Sequence, residues 1–130
     1  MPLVRISVFE NLARERRRQL PQAVYDAMRT VLTIPEGDLF VVLTAHAEGE
    51  MVVDPHFMGV TRTKDFVLVQ ITFRHRSVEI KQRLYAEIAS LLQQRAGIAP
   101  DDVRIVITEN DLADWSFGRG EAQYVLHPPA

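Results

Sequence analysis

Cysteine is absent from these 130 residues. That excludes disulfide scaffolds, thiolate metal sites and cysteine nucleophiles. An excess of charge of one sign is missing too. Seventeen acidic and 15 basic side chains leave a formal charge of −2, which offers no broad basic field for nucleic acid. No apolar run approaches the roughly 20 residues that a membrane helix needs. The opening Met1-Pro2-Leu3-Val4-Arg5 lacks a charged segment followed by an apolar one. A soluble, cytoplasmic protein with no nucleic-acid or membrane partner is expected. What is present is ordinary globular composition, 47% hydrophobic and 25% charged. The length predicts a single domain over residues 1–130, large enough to bury its own core.

β-Branched and apolar runs predict strands over 3–9, 39–44, 66–73 and 103–108. Leu20, Val24, Ala27, Met28 and Val31 recur at helical spacing after the first strand. That helix either begins at Pro21 or starts near Ala13 and kinks at the proline. Ser77 is an N-cap for a second helix whose apolar face is Ile80, Leu84, Ile88, Leu91 and Leu92, with Gly97 as its stop. Residues 45–65 read as a long connection with a short hairpin near Met51-Val52-Val53. Residues 111–130 read as a C-terminal loop or hairpin able to close over a pocket.

The two halves superpose at one offset of 64 residues, the step from Phe9 to Phe73. At that step Leu20, Val24 and Met28 meet Leu84, Ile88 and Leu92, Ile34 meets Ile98, and Asp38 meets Asp102. The chain is therefore read as a duplicated βαβ unit, with repeats over 2–44 and 66–108. The expected fold is α+β: a two-layer, four-stranded sheet with two helices on one face. Consecutive apolar residues such as Val67-Leu68-Val69 predict strands buried on both faces. Two helices cover only one face, so further copies of the chain are expected on the other.

Few residues carry candidate chemistry. Pro2 follows the initiator methionine, and removal of Met1 would leave a secondary amine, able to act as a base or a cationic acid near neutral pH. Arg74 and Arg76 flank His75, and alternate residues of extended backbone point the same way. Two guanidiniums so placed form a carboxylate or phosphate clamp, or simply a solvated strand end. Asp38 and Asp102 hold equivalent turn positions that capping alone would explain. His46, His56, His75 and His127 show no metal-binding spacing, and no metal or cofactor is assigned. The run Asp114-Trp115-Ser116-Phe117-Gly118-Arg119-Gly120 holds the only tryptophan.

The Pro2 start, the duplicated unit and that tryptophan-containing run, preceded by Ile107-Thr108-Glu109-Asn110, resemble the tautomerase superfamily, and within it the malonate semialdehyde decarboxylase branch. The Ile34-Pro35 turn leading to Asp38 and the segment from Arg74 to Ser77 match as well. The resemblance spans essentially the whole chain. It implies a homotrimer in which Pro2 is the catalytic amine and Asp38 the acid beside it. Arg74 and Arg76 would hold the carboxylate of a small oxo acid. Trp115 and Phe117 would build an apolar wall, with Tyr124 standing where the branch has phenylalanine. The last residues, 127–130, depart from the branch. The implied reaction is decarboxylation of a short 3-oxo acid, malonate semialdehyde first. Enol–keto tautomerisation of a 2-oxo acid such as phenylpyruvate is the alternative. A non-catalytic trimer of the same fold is the third possibility. Dehalogenation ranks low, because Trp115 to Gly120 contains no carboxylate.

Overall fold

The computed structural model describes Pro2 to Pro129. Met1 and Ala130 lie outside the described residues, and so does the expected loss of Met1. Four strands form one sheet: β1 (Leu3–Phe9), β2 (Val41–His46), β3 (Val67–Arg74) and β4 (Val103–Asn110). Their order is β2-β1-β3-β4. β1 runs parallel to β2 and antiparallel to β3, and β3 runs parallel to β4. Helices α1 (Arg14–Leu32) and α2 (Val78–Ala96) pack against each other and against one side of the sheet. Each parallel pair is one βαβ unit. The first helix begins seven residues before Pro21 and continues through it. With no proline N–H to receive, the Arg17 carbonyl loses its helical donor at that turn.

The 64-residue offset holds for the helix ends, where Arg14 and Leu32 map onto Val78 and Ala96, but not for the first strands. Val4, Ile6 and Val8 face the helices as Val69, Ile71 and Phe73 do, so Phe9 falls on Arg74 rather than on Phe73. Both helices stop on a left-handed residue, Gly97 at φ 65° and its counterpart Thr33 at φ 55°. Glycine adopts that conformation without steric cost and threonine does not. Ser77 caps α2, its Oγ accepting the Ile80 N–H at 3.3 Å. The equivalent Ala13 caps α1 with no side chain bond.

The core lies between helices and sheet. Val4, Ile6 and Val8 of β1 and Val67, Val69, Ile71 and Phe73 of β3 meet Leu20, Val24, Met28, Leu84, Ile88 and Leu92. Full burial of each such side chain stabilises the fold by roughly 1.5–3 kcal/mol. The opposite sheet face is not uniformly apolar. Leu3, Val42, Leu68 and Val106 alternate there with Arg5, Thr44, Gln70, Arg104 and Thr108. The consecutive apolar runs thus overstate that face: every second residue points into the helix layer, and only some of the others are hydrophobic.

Two further expectations are corrected. Among the described residues no hairpin forms between β2 and β3; that connection holds a single 3-10 turn at Phe57–Gly59. Asp102, 2% exposed, instead ties it down, accepting the Thr63 N–H at 2.6 Å and the Thr63 hydroxyl at 2.7 Å. The C-terminal segment is not a hairpin either. It makes a 3-10 turn at Leu112–Asp114 and a short helix, α3 (Gln123–Leu126). Gly118, Arg119 and Gly120 all have positive φ, a turn that no ladder continues. Gln123 closes it, accepting the Phe117 N–H at 2.9 Å and donating to the Gly118 carbonyl at 2.9 Å. Among the described residues no helix is long and apolar enough to cross a membrane.

Candidate active site

Strand register decides which residues meet. Leu3 pairs with Thr72 across the antiparallel junction, so Pro2 falls beside the end of β3, where Phe73 and Arg74 lie. Val4 pairs with Val41 across the parallel junction and donates its N–H to the Phe40 carbonyl at 2.9 Å. The approach to β2, with Asp38, therefore reaches the same end of the sheet. Gly37, at φ 85°, holds that approach against α1 by donating its N–H to the Tyr25 hydroxyl at 2.9 Å. On the far side of β3, Arg74 pairs with Asn110, and the chain beyond β4 folds back over the gap.

These elements enclose a cavity of about 230 Å³. Its walls include Pro2, Ile34, Pro35, Phe73, Arg74, Arg76, Leu112, Tyr124 and Pro129. Pro2 is buried. Arg76 lies beyond the strand, yet its guanidinium folds back over the Phe73 ring at 5.8 Å and donates to the carbonyls of Arg74 and His75 at 3.2 and 3.1 Å. Burial, then the neighbouring Arg74, pushes the Arg76 guanidinium below its usual range. Both effects favour an anion in the cavity, which would offset the crowding of two cations.

Alongside Phe73 of the sheet, Tyr124 is the one aromatic of the C-terminal segment that lines the cavity. Phe117 meets its ring edge-on at 4.8 Å between centroids, and Trp115 stacks on Phe117 at 5.7 Å. The three rings form a row with Tyr124 at its inner end; Trp115 and Phe117 stand behind it rather than on the cavity wall. The Trp115 indole N–H donates to Asn110 Oδ1 at 3.0 Å, anchoring the outer end of the row to β4. Burial raises the Tyr124 phenol above its usual pKa; the Asp38 carboxylate adds to this and Arg74 opposes it. Asp38 is thus an electrostatic neighbour of the cavity, with one carboxylate oxygen shielded from solvent.

Sequence spacing gave no signal for Leu112 or Pro129, which meet at the cavity only through folding, or for Asn110 as the anchor of Trp115. Glu109 was equally silent. Its carboxylate accepts the Arg76 N–H at 3.0 Å, contacts His75 Nδ1 at 2.8 Å and meets Lys81 Nζ at 3.1 Å. The Arg76 hydrogen bond first, then Lys81, holds its pKa below the usual carboxylate range.

The first repeat has a corresponding cavity of about 510 Å³, bounded by Phe9, Glu10, His46, Glu48, Met51, Val53 and Lys64. By strand register Val8 stands where Phe73 does and Phe9 where Arg74 does, and Glu10, Asn11 and Leu12 beyond the strand end include no cation. The anion-attracting character belongs to one end of the molecule.

Residues 2–60 match one family described as "Tautomerase enzyme" and residues 38–118 match another of the same description. The chain is 34% identical over 125 residues to "Probable tautomerase YrdN" of Bacillus subtilis (strain 168), covering 96% of this chain and 97% of that one. The crystal structure of FG41 malonate semialdehyde decarboxylase inhibited by 3-bromopropiolate is similar at 40% identity and a TM-score of 0.90, covering 98% of both chains. A second malonate semialdehyde decarboxylase, whose crystal structures address decarboxylase and hydratase activities, is 32% identical with a TM-score of 0.91, covering 98% of this chain and 99% of that one.

Proposed function

The chain belongs to the tautomerase family, and from that premise we propose that it decarboxylates a short 3-oxo acid, malonate semialdehyde to acetaldehyde and CO2. The observation that carries the reading is the meeting of Pro2, Arg74 and Arg76 around one small cavity. The similarity to two malonate semialdehyde decarboxylases supports it. Once Met1 is removed, Pro2 presents a secondary amine to that cavity. Arg74 and Arg76 hold the substrate carboxylate and set the angle of the bond that breaks. The protonated Pro2 amine donates a hydrogen bond to the 3-oxo oxygen. The bond between the carboxylate carbon and C2 then cleaves. Its electron pair moves to C2 and onto the polarised oxygen as an enolate, and neutral CO2 departs. A proton delivered to C2 completes acetaldehyde. Asp38 supports the charged amine, and the aromatic row at Tyr124 favours loss of charge from the carboxylate.

Enol–keto tautomerisation is the second reading, favoured by the curated relatives, which are named as probable tautomerases. It uses the same amine in neutral form as a base. A pH–rate profile with CO2 detection separates the two. Decarboxylation through cationic Pro2 falls as pH rises through the amine's pKa, whereas tautomerisation through neutral Pro2 rises. Ketonisation of an enol acid without CO2 from malonate semialdehyde would transfer the assignment to tautomerase. Inactivity in both assays, with Pro2 shown free by mass spectrometry, would count against catalysis of either kind.

We also infer a homotrimer, the open sheet faces turned toward the shared centre. The exposed Leu3, Phe40, Val42 and Val106 support a covered face.

A further inference from the structure

Arg76 does not stand on a strand. β3 ends at Arg74, and residues 75–77 leave the sheet on the way to α2. Something must fix that short turn, because the guanidinium takes its place from the backbone that bears it. Its Nη1 is bonded to the carbonyls of Arg74 and His75. A rotation of the turn would carry those acceptors, and the guanidinium with them, away from the cavity.

Glu109 supplies the restraint. It is the β4 partner of Phe73, the ring beneath the Arg76 guanidinium. A single oxygen, Oε2, accepts the Arg76 backbone N–H at 3.0 Å and lies 2.8 Å from His75 Nδ1 and 3.1 Å from Lys81 Nζ. One carboxylate so ties the turn, β4 and the first turns of α2 together. It does not line the cavity. The duplication offers an internal comparison. At the first-repeat position of Glu109 stands Ala45 and at that of Arg74 stands Phe9, and neither Asn11 nor Leu12 beyond that strand end is a cation. The restraint and the two guanidiniums are present together in one repeat and absent together from the other.

We propose that Glu109 is a positioning residue for the arginine pair, holding the 75–76 backbone so that Arg76 faces the carboxylate of the ligand. This rests on reading Arg74 and Arg76 as a carboxylate clamp. Glu109 touches no substrate; its effect is confined to ligands that carry the charge.

The test is binding rather than turnover. The probes are 3-hydroxypropanoate, an unreactive acid of substrate size, and its uncharged amide, 3-hydroxypropanamide, both measured by calorimetry. E109A is expected to weaken the acid about tenfold or more and to leave the amide within about twofold. E109Q keeps an acceptor for the Arg76 N–H and should fall between E109A and the parent protein. K81M removes one partner of Glu109 without touching the turn and should bind the acid as the parent does. Equal weakening of acid and amide in both Glu109 variants, or none in either, would overturn the proposal. R76A distinguishes the two levels. If R76A weakens the acid and E109A does not, only the positioning role fails. If R76A leaves the acid unaffected, the clamp itself fails and the role of Glu109 with it.

Discussion

Asp38 and Asp102 occupy the same place in the two repeats and have opposite surroundings. Asp102 is 2% exposed and directs both carboxylate oxygens at Thr63. Asp38 stands close enough to Tyr124 to raise its phenol pKa. Replacement of each should separate stability from chemistry. D102A removes two charge-assisted hydrogen bonds from a buried position and is expected to cost about 2–4 kcal/mol, read as a lower melting temperature with catalytic constants preserved below it. D38N should leave the melting temperature nearly unchanged and lower kcat by about a hundredfold or more. The same loss of activity in both variants would remove the distinction.

For the arginines, R74A and R76A are each expected to reduce kcat/KM on a 3-oxo acid by about 10- to 100-fold, the worth of a hydrogen bond to a charged group. Parent-like kinetics in both would eliminate the clamp.

Tyr124 gives a spectroscopic handle. Burial and Asp38 keep its phenol protonated above the usual range. In an ultraviolet titration, Y124F should lose one ionisation from above the usual phenol range, and D38N should shift that step to lower pH. The raised pKa means that the neutral phenol is the form favoured by folding. Its contribution is complete below the unfolded value near ~10 and is lost as pH climbs through the folded one. An unchanged titration in Y124F would refute the assignment.

Between the helices, Arg95 Nη1 donates to Asp26 Oδ2 at 2.6 Å. Burial opposes ionisation of Asp26, but Arg95 and Gln22 outweigh it and hold the pKa below the ordinary value. The pair is about one-third exposed, so screening limits it to roughly 0.2–1 kcal/mol. A depressed pKa confers stability above the unfolded value near ~3.9, lost as pH falls through the folded one. D26N should therefore be slightly less stable than the parent at pH 7 and equal to it in strong acid. A difference that persists in acid would assign the effect to something other than charge.

Sedimentation equilibrium at micromolar concentration should return a trimer. Replacing the exposed Val42 and Val106 with lysine together should shift the mass toward monomer. A stable monomeric parent would remove the proposed covering of the open face.

The duplicated unit was legible because one offset aligns helix, turn and second strand; β1 and β3 are one residue out of step with it, which unbroken apolar runs conceal. Pairing order was legible only as two parallel units, since nothing in the local pattern of Leu3 or Thr72 announces that β1 and β3 run antiparallel. Pro2, Arg74 and Arg76 could be named in advance through chemistry that stands out in a short sequence. Glu109 and Asn110 belong to the run that carries the resemblance, but no role could be read for them: an acid and an amide at a strand end look like any solvated pair until the fold supplies their partners. Consecutive apolar residues misled about the open face because alternation in a strand is a property of the pleat, not of neighbours in sequence. The helical turns before Pro21 are not legible for a related reason: Arg14 to Arg18 give no apolar period, and part of what fixes them is distant in sequence. Arg16, for instance, donates to the Ala96 and Gly97 carbonyls at the end of α2.

The acidic counterpart cavity behind Phe9 carries a stoichiometric consequence. A duplicated scaffold invites two equivalents of an active-site reagent, yet Glu10 on the first-repeat cavity repels a carboxylate where Arg74 on the other attracts one. A carboxylate-bearing inactivator should thus saturate at one equivalent per chain. The unoccupied equivalent is a blank half of the molecule, with the packing already made and the chemistry unwritten.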